Sequence, residues 1–367
     1  MNDVPFFDYK KVYLDYQNHL NNIFTQVSSK GKFILQEEVE KFELNLCTYH
    51  GCKYSLGVAN ATDAMLLLLL ADNIGSGDEI LFCSHTLVAT ASVIKLTGAR
   101  PIPVNCNDEY LMDVNDLKKK ISSRTKGIFV THLNGRIADM KQINKIAKKF
   151  KLNIYEDAAQ AICSTYYGKA AGTFDRGGCI SFYPAKILGC LGDGGAVITN
   201  NKKIYERIKL LRDHGRKNLE VFAWGLNSRL DNLQAGFLNF LITKLKQNIM
   251  HRRKMAKIYY DILSEINFIK CPPNNLLEKN RFDNYQNFEV LCTNRDQLRI
   301  FLKKKGIDTI IPWGGKCVHE FKNLKLANKD LSFTENILRK SILLPMNQFL
   351  SKKDVLYICN QVKNFYN

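Results

Sequence analysis

The stretch SFYPAKILGCLGDGGA (181–196) is the part of the chain from which the rest can be read. An apolar run, CISFY, breaks at Pro184, and Lys186 follows at once. Gly192, Gly194 and Gly195 then make a turn into a second apolar run, AVITN. Glycines in such a turn permit positive φ and close backbone approach. Because both flanks are apolar, Lys186 reads as buried, and burial disfavours an ammonium and lowers its pKa. Upstream lies NIYEDAAQ (153–160), an apolar strand that ends on Asp157.

Moving outward, the pattern repeats. Short apolar, β-branched runs at 54–59, 79–83, 101–105, 127–132, 152–157, 179–183 and 195–200 alternate with helix-period segments at 62–71, 88–97, 116–122 and 140–150. This predicts an α/β chain whose large domain holds a mixed, mostly parallel sheet flanked by helices on both faces. Functional groups are then expected at the carboxyl ends of the strands. A helical stretch over 230–263 comes next, and after it the turn CPPNN (271–275), a candidate hinge. A strand at 287–293, a helix at 295–305, a strand at 308–312 and a terminal helix at 351–365 suffice for a smaller C-terminal α+β domain. The expected division is 1–245 for the large domain and 246–367 for the small one.

Composition narrows the class. The chain has 367 residues, 46% of them hydrophobic, enough for ordinary cores. Its most apolar run, AMLLLLLA (64–71), is about half of a membrane span and reads as a buried helix. The opening MNDVPFFDYKKVY has no basic region followed by an apolar one, so a cytoplasmic protein without membrane contact is expected. The eleven cysteines are scattered with no CxxC pair. They read as reduced thiols, Cys179 and Cys190 included, and no metal centre is expected. The formal charge of +18 raises nucleic acid as a partner. However, the basic residues run from Lys10 to Lys363, many as Lys-Lys pairs, and no zinc-finger spacing or RNA-binding aromatic motif accompanies them. A solvated lysine-rich surface is the better reading, and it is compatible with an anionic substrate.

Three further segments carry chemistry. VANATDA (58–64) leaves a strand and enters a helix, where Asn60 or Thr62 can cap and the free amides around Ala61 and Thr62 make an anion site. Asp157 ends its strand at the expected mouth of the sheet, and Gln160 follows within a turn. Glu156 alternates to the other side and reads as structural. Ser181 offers a hydroxyl near the lysine. A buried lysine, a strand-end carboxylate and an anion site together suit pyridoxal 5'-phosphate. Lysine would form a Schiff base, the carboxylate would hold the pyridinium nitrogen protonated, and the helix start would take the phosphate.

In this order the motifs resemble the DegT/StrS-type sugar-nucleotide aminotransferases, which have the aspartate-aminotransferase-like fold (fold type I). The resemblance runs from FFDYKKVY (6–13) and GKFILQEEVEKFE (31–43) through GSGDEILFCSHTLVATA (75–91), HLNGRIADM (132–140), EDAAQA (156–161) and SFYPAKILGCLGDGGAVITN (181–200) to GLNSRLDNLQA (225–235). It implies that Lys186 binds the cofactor covalently, that Asp157 meets its ring nitrogen and Gln160 its ring hydroxyl. Ser181 and the amides of Ala61 and Thr62 would hold the phosphate. Asn227 and Arg229 match positions that in the family reach a neighbouring subunit's site, Asn227 at the phosphate and Arg229 at a carboxylate. A homodimer with shared active sites follows, acting on a nucleotide-linked keto-sugar with L-glutamate as donor. The pyridoxamine phosphate form would be the intermediate. ILQEEVEKFE and ILGCLGDGGA resemble members that act at carbon 3 more than those that act at carbon 4.

Three departures from the family pattern stand out. Asn60-Ala61-Thr62 replaces a frequent Ser-Gly-Thr. Leu87 stands where many members have an aromatic, so ring stacking would pass to His85 or to aliphatic packing. IPWGGKCVHEF (311–321) replaces a Tyr- and His-containing segment, which makes Trp313, Lys316 and His319 candidates for sugar or nucleotide contact, with Trp313 equally a core residue. The competing readings are a pyridoxamine-dependent sugar dehydratase, whose relatives carry His where this chain has Lys186, and a non-catalytic regulator on the same fold.

Overall fold

The structure is a computed structural model that describes residues 3–326 and 330–367. Seven strands make its central sheet: β1 (Tyr54–Val58), β2 (Glu79–Cys83), β3 (Arg100–Val104), β4 (Thr125–Thr131), β5 (Asn153–Asp157), β6 (Gly177–Ser181) and β7 (Gly195–Thr199). Their order is β1-β7-β6-β5-β4-β2-β3. From β6 to β3 all neighbours are parallel. β7 runs antiparallel to both β6 and β1. The reversal has a direct cause. Each parallel pair needs a crossover, whereas the loop that carries Lys186 returns the chain from β6 to β7 without a helix.

The strands are apolar along most of their length because both faces are covered. Alternation then sorts the side chains. Ile128 and Val130 of β4 enter one core with Val39, Phe42 and Leu46 of α2 (Glu37–His50, after α1 at Tyr9–Lys30). Phe129, between them, enters the opposite core with Leu67 and Leu68 of α3 (Ala61–Ala71) and Val93 of α4 (Val88–Leu96).

A third core lies in the C-terminal part. A three-stranded antiparallel sheet orders β8 (Ile269–Lys270), β9 (Phe288–Cys292) and β10 (Ser341–Leu344). Tyr259, Phe288, Leu298, Ile342 and Ile358 pack around it. Val4 belongs to this core too, bridged to Ile307, so the start of the chain is sewn into its far end.

Two elements differ from the sequence expectation. The stretch 230–263 is not one helix. It is Asn232–Leu241, a 3-10 turn at Ile242–Lys244, and Leu245–Leu263. The Thr243 hydroxyl donates to the Phe240 carbonyl at 2.7 Å, a local bond that competes with helix continuation. The strand expected at 308–312 contributes only the bridge Ile310 to Leu343. Pro312 then starts a 3-10 turn in which Trp313 and Gly314 have φ of 54° and 69°. The third strand is instead Ser341–Leu344, to which the sequence reading assigned no element. Among the described residues no helix is long and apolar enough to cross a membrane.

Candidate active site

The Lys186 loop is built by backbone closure. Phe182 N–H donates to the Gly194 carbonyl, Cys190 N–H to the Phe182 carbonyl and Lys186 N–H to the Tyr183 carbonyl, each at 2.8 Å. A Cβ at Gly189 would lie 2.7 Å from the Pro184 carbonyl oxygen, so the turn needs glycine there. Gln286, from the C-terminal part, grips the loop on both sides of the lysine. Its Oε1 accepts from Ile187 N at 3.0 Å and its Nε2 donates to the Ala185 carbonyl at 2.9 Å.

Lys186 lines a cavity of about 300 Å³ together with Asp157, Gln160, Ser181, Ala61 and Thr62. The six residues come from strand ends, a helix start and the loop after β6, as the parallel topology requires. Enclosure by protein pushes the Lys186 ammonium below its ordinary pKa, and the Asp157 carboxylate and the Cys179 thiol only partly oppose this. The side chain itself keeps some surface open to the cavity. A lysine in this condition gives up its proton more readily than a solvated one, which is what a nucleophile or proton carrier requires.

Asp157 is buried and held at both oxygens. Oδ1 accepts from Ala159 N at 3.2 Å, and Oδ2 accepts from the Thr90 hydroxyl at 3.1 Å. Thr90 in turn lies 3.3 Å from Thr86, and Thr131 donates to Thr86 at 3.3 Å. This hydroxyl chain was not singled out from the sequence. Only the placement of Thr90 in the first turn of α4, at the sheet mouth, brings it to the carboxylate. The Cys179 Sγ sits 3.4 Å from Asp157 Oδ1, and burial with that carboxylate keeps the thiol well above the usual range, hence protonated and inert. Burial likewise pushes Cys190 up to about 12.

At the other end, Asn60 is the cap. Its Oδ1 accepts from Asp63 N at 2.8 Å, which leaves the N–H groups of Ala61 and Thr62 to face an anion. β7 crosses directly behind them. A Cβ at Gly195 would come 2.4 Å from the Asn60 carbonyl carbon and 2.6 Å from Ala61 N, so the cradle closes only around glycine. Helix start, Ser181, strand-end carboxylate and recessed lysine border one cavity, and this donor set fits pyridoxal phosphate.

The remaining expected residues divide. Gln160 Oε1 accepts from Asn134 N at 2.7 Å, which leaves its amide NH₂ on the other side. Glu156 faces away and is bonded to His132, Gly172 N and Phe174 N, a structural role. His85 departs from the stacking expectation. Its ring turns to Glu289 at 3.3 Å and borders an adjoining recess, which Lys186 and Gln160 also line, rather than the cavity that holds Asp157 and Ser181. Burial opposes the charged ring, but Glu289 and Cys106 together outweigh it and push the His85 pKa up to about 10. Leu87 and Ala159 line the lysine cavity, which favours aliphatic packing on a bound ring. His319 also departs from expectation. Both ring nitrogens are engaged, by Ser84 Oγ at 2.7 Å and Glu335 at 3.1 Å, so it ties segments together away from any ligand. Trp313 borders both the cavity and the recess, packs partly on the core, and its indole N–H is buried without a partner among the described residues. Lys316 is exposed. Asn227 is exposed and pairs backbone with Asp213, while Arg229 donates to Asp213 at 2.8 Å; neither lines the cavity of its own chain.

Comparison with known proteins agrees with this geometry. Residues 15–363 match the DegT/DnrJ/EryC1/StrS aminotransferase family. The chain is 34% identical, over 99% of both lengths, to a dTDP-3-amino-3,6-dideoxy-alpha-D-galactopyranose transaminase of Aneurinibacillus thermoaerophilus. It is 31% identical, again over 99% of both, to a protein of Geobacillus stearothermophilus named a pleiotropic regulatory protein. A crystal structure of S. venezuelae DesV in complex with a ketimine intermediate superimposes with a TM-score of 0.94 at 31% identity, covering 100% of this chain and 99% of that one.

Proposed function

Because the chain belongs to the DegT/DnrJ/EryC1/StrS aminotransferase family, a group of pyridoxal-phosphate-dependent enzymes with the type I fold, we propose that it moves the amino group of L-glutamate to carbon 3 of a nucleotide-linked keto-sugar. The observation that carries this reading is the enclosed Lys186 beside Asp157 and the Ala61–Thr62 amides in one cavity. The carbon-3 assignment is supported by the 3-amino sugar in the name of the Aneurinibacillus relative. The product belongs to amino-sugar biosynthesis, of the kind that feeds surface polysaccharide or glycoconjugates.

Bound pyridoxal phosphate would supply the carbonyl that takes up the amino group and a ring that withdraws electrons from the reacting carbon. The chain supplies the rest. Asp157, kept in place by Thr90 and Ala159 N, presents a carboxylate to the ring nitrogen. Gln160 presents its amide NH₂ to the ring hydroxyl, and Ser181 with the two amides receives the phosphate. Lys186 Nζ, with its lowered pKa, takes a proton from the donor amino acid and returns it at a neighbouring atom. Leu87, Met65 and Trp313 keep water from the reacting face.

The working unit is a homodimer with shared sites. The cavity lining of one chain holds no arginine among the described residues, although the substrates are anionic. Arg229 and Asn227 lie outside it, next to a run of bare apolar side chains in which Leu219 and Trp224 are each 99% exposed. A covering second copy would bury that run and deliver the arginine.

The test is a screen of nucleotide-linked 3-keto and 4-keto sugars with L-glutamate, scored by 2-oxoglutarate release. A 3-keto substrate should turn over best. Absence of 2-oxoglutarate with every substrate would overturn the reading. Release with 4-keto sugars alone would overturn the carbon assignment. A dehydrated product without 2-oxoglutarate would favour the dehydratase.

A further inference from the structure

Between the lysine cavity and the C-terminal sheet lies a buried polar cluster that the mechanism above does not use. Glu289, on β9, is 1% exposed and its carboxylate is fully engaged. Oε1 accepts from Ser341 Oγ at 2.6 Å and faces His85 Nε2 at 3.3 Å. Oε2 accepts from the Asn134 side-chain amide. Asn287, two positions along the same chain segment, donates to the Asn134 Oδ1 at 3.0 Å. Every polar atom of the Asn134 side chain is thus held from the C-terminal part, while its backbone belongs to the loop after β4.

Asn134 has a φ of 58°, a left-handed conformation that a non-glycine residue adopts only where its surroundings impose it. In that conformation its N–H points at Gln160 Oε1, 2.7 Å away. The next residue, Gly135, approaches Asn284 so closely that a Cβ would lie 1.8 Å from Asn284 Oδ1. Asn284 Nδ2 in turn donates to the Gln160 carbonyl at 3.1 Å. Gln160 is therefore oriented at its side chain and its backbone by groups that answer to β9 and the segment just before it.

An amide side chain has two ends of opposite character, and which end faces a ligand is set by what binds the other. We propose that Glu289 is a positioning residue for the cofactor site: by clasping the Asn134 side chain it holds the Asn134 N–H on Gln160 Oε1 and so commits the Gln160 NH₂ to the cavity as a hydrogen-bond donor. The clasp also joins the two parts of the molecule at the point where the ring hydroxyl of a bound cofactor would sit. The inference rests on the reading of Gln160 given above, and the experiment separates the two.

Three variants are compared as purified protein titrated with pyridoxal phosphate: Gln160→Ala, Glu289→Gln and the double variant. The measured quantities are cofactor Kd from fluorescence quenching, and the position and pH midpoint of the visible band. Gln160→Ala should weaken binding about tenfold and move the band, a loss expected of one hydrogen bond to a charged group. Glu289→Gln should reproduce the band shift and most of the loss, and the double variant should be no worse than Gln160→Ala alone. Should Glu289→Gln not accumulate folded, Asn134→Gly tolerates the left-handed backbone without strain but loses the clasped side chain that holds it there, and it should behave in the same way. Ser341→Ala, which loosens Glu289 but leaves Asn134 bonded, should lower the melting temperature without moving the band. If Gln160→Ala changes neither Kd nor band, the role given to Gln160 fails. If Gln160→Ala acts but Glu289→Gln and Asn134→Gly leave Kd within twofold and the band in place, or if the losses add in the double variant, the clasp is overturned.

Discussion

The floor of the site and its rim on the C-terminal side are built in opposite ways. On the floor, Asp157, Ser181, Ala61 and Thr62 occupy strand ends and a helix start, and each presents its functional group to one cavity. On the rim, the segment after Pro312 sends its polar residues elsewhere. His319 is bound at both nitrogens by Ser84 and Glu335, Lys316 points to solvent, and only Trp313 turns inward. The floor is therefore set by topology, since any chain with these strand ends brings them to one mouth. The rim is set by individual side-chain partners, and a change of partner changes it. A site organised in this way keeps its chemistry fixed and lets its substrate vary.

The largest break in that comparison should come at the floor. Lys186→Ala should lower turnover by about 10⁴-fold or more and abolish a cofactor absorbance band, with little change in secondary structure by circular dichroism. Next comes Gly195→Ala, which pushes a methyl group into the Asn60–Ala61 backbone. It should cost about 1–3 kcal/mol of stability by chemical denaturation and weaken phosphate binding more than it affects the lysine. At the rim, Trp313→Phe should keep the cofactor band and raise KM for the sugar substrate by about tenfold, roughly 1.4 kcal/mol. His319→Gln should leave KM alone and lower stability by about 1–2 kcal/mol, because it removes one partner from a buried bonded group.

The last effect expected is a pH dependence of stability. His85 rises from an ordinary 6.5 to about 10 in the folded chain because burial, which opposes the charge, is outweighed by Glu289 together with Cys106. Its contribution is therefore fully present below about pH 6.5 and lost as pH rises through about 10. Lys186 acts in the opposite sense. Its pKa is lowered, so folding gains as pH rises from that lowered value towards the ordinary 10.5. Melting curves of wild type and His85→Asn between pH 6.5 and 10 isolate the first effect. The wild-type curve should fall more steeply, by on the order of a few kcal/mol across the window. Parallel curves would remove the charge from His85.

What the sequence showed about this molecule follows the same division. Lys186, Asp157 and the Asn60–Thr62 turn could be placed because a strand end next to a turn is a local pattern, and a parallel sheet brings such ends together. The antiparallel direction of β7 was not read from the sequence, since nothing in the 182–194 connection marks it as a return rather than a crossover. The roles of His85 and His319 could not be read locally, since Glu289 and Ser84 reach them from distant parts of the chain. Thr90 and Gln286 were passed over for a related reason. A threonine in a helix and a glutamine before a strand are common residues, and only the fold sets one against Asp157 and the other against the lysine loop. The break at Ile242–Lys244 and the loss of the 308–312 strand are cases in which a local bond or a proline overrode the periodic pattern.

The grip of Gln286 on both sides of Lys186 has a practical meaning for anyone rebuilding this enzyme. C-terminal segments are natural units to exchange between relatives when a new substrate is wanted, and the Cys271–Pro272–Pro273 turn looks like a convenient place to splice. Such a graft would carry position 286 with the donor segment while leaving residues 185 and 187 with the recipient. The seam would then run through the two hydrogen bonds that hold the Lys186 loop, so a chimera can inherit an intact fold and every residue of the candidate site and still have its lysine adrift.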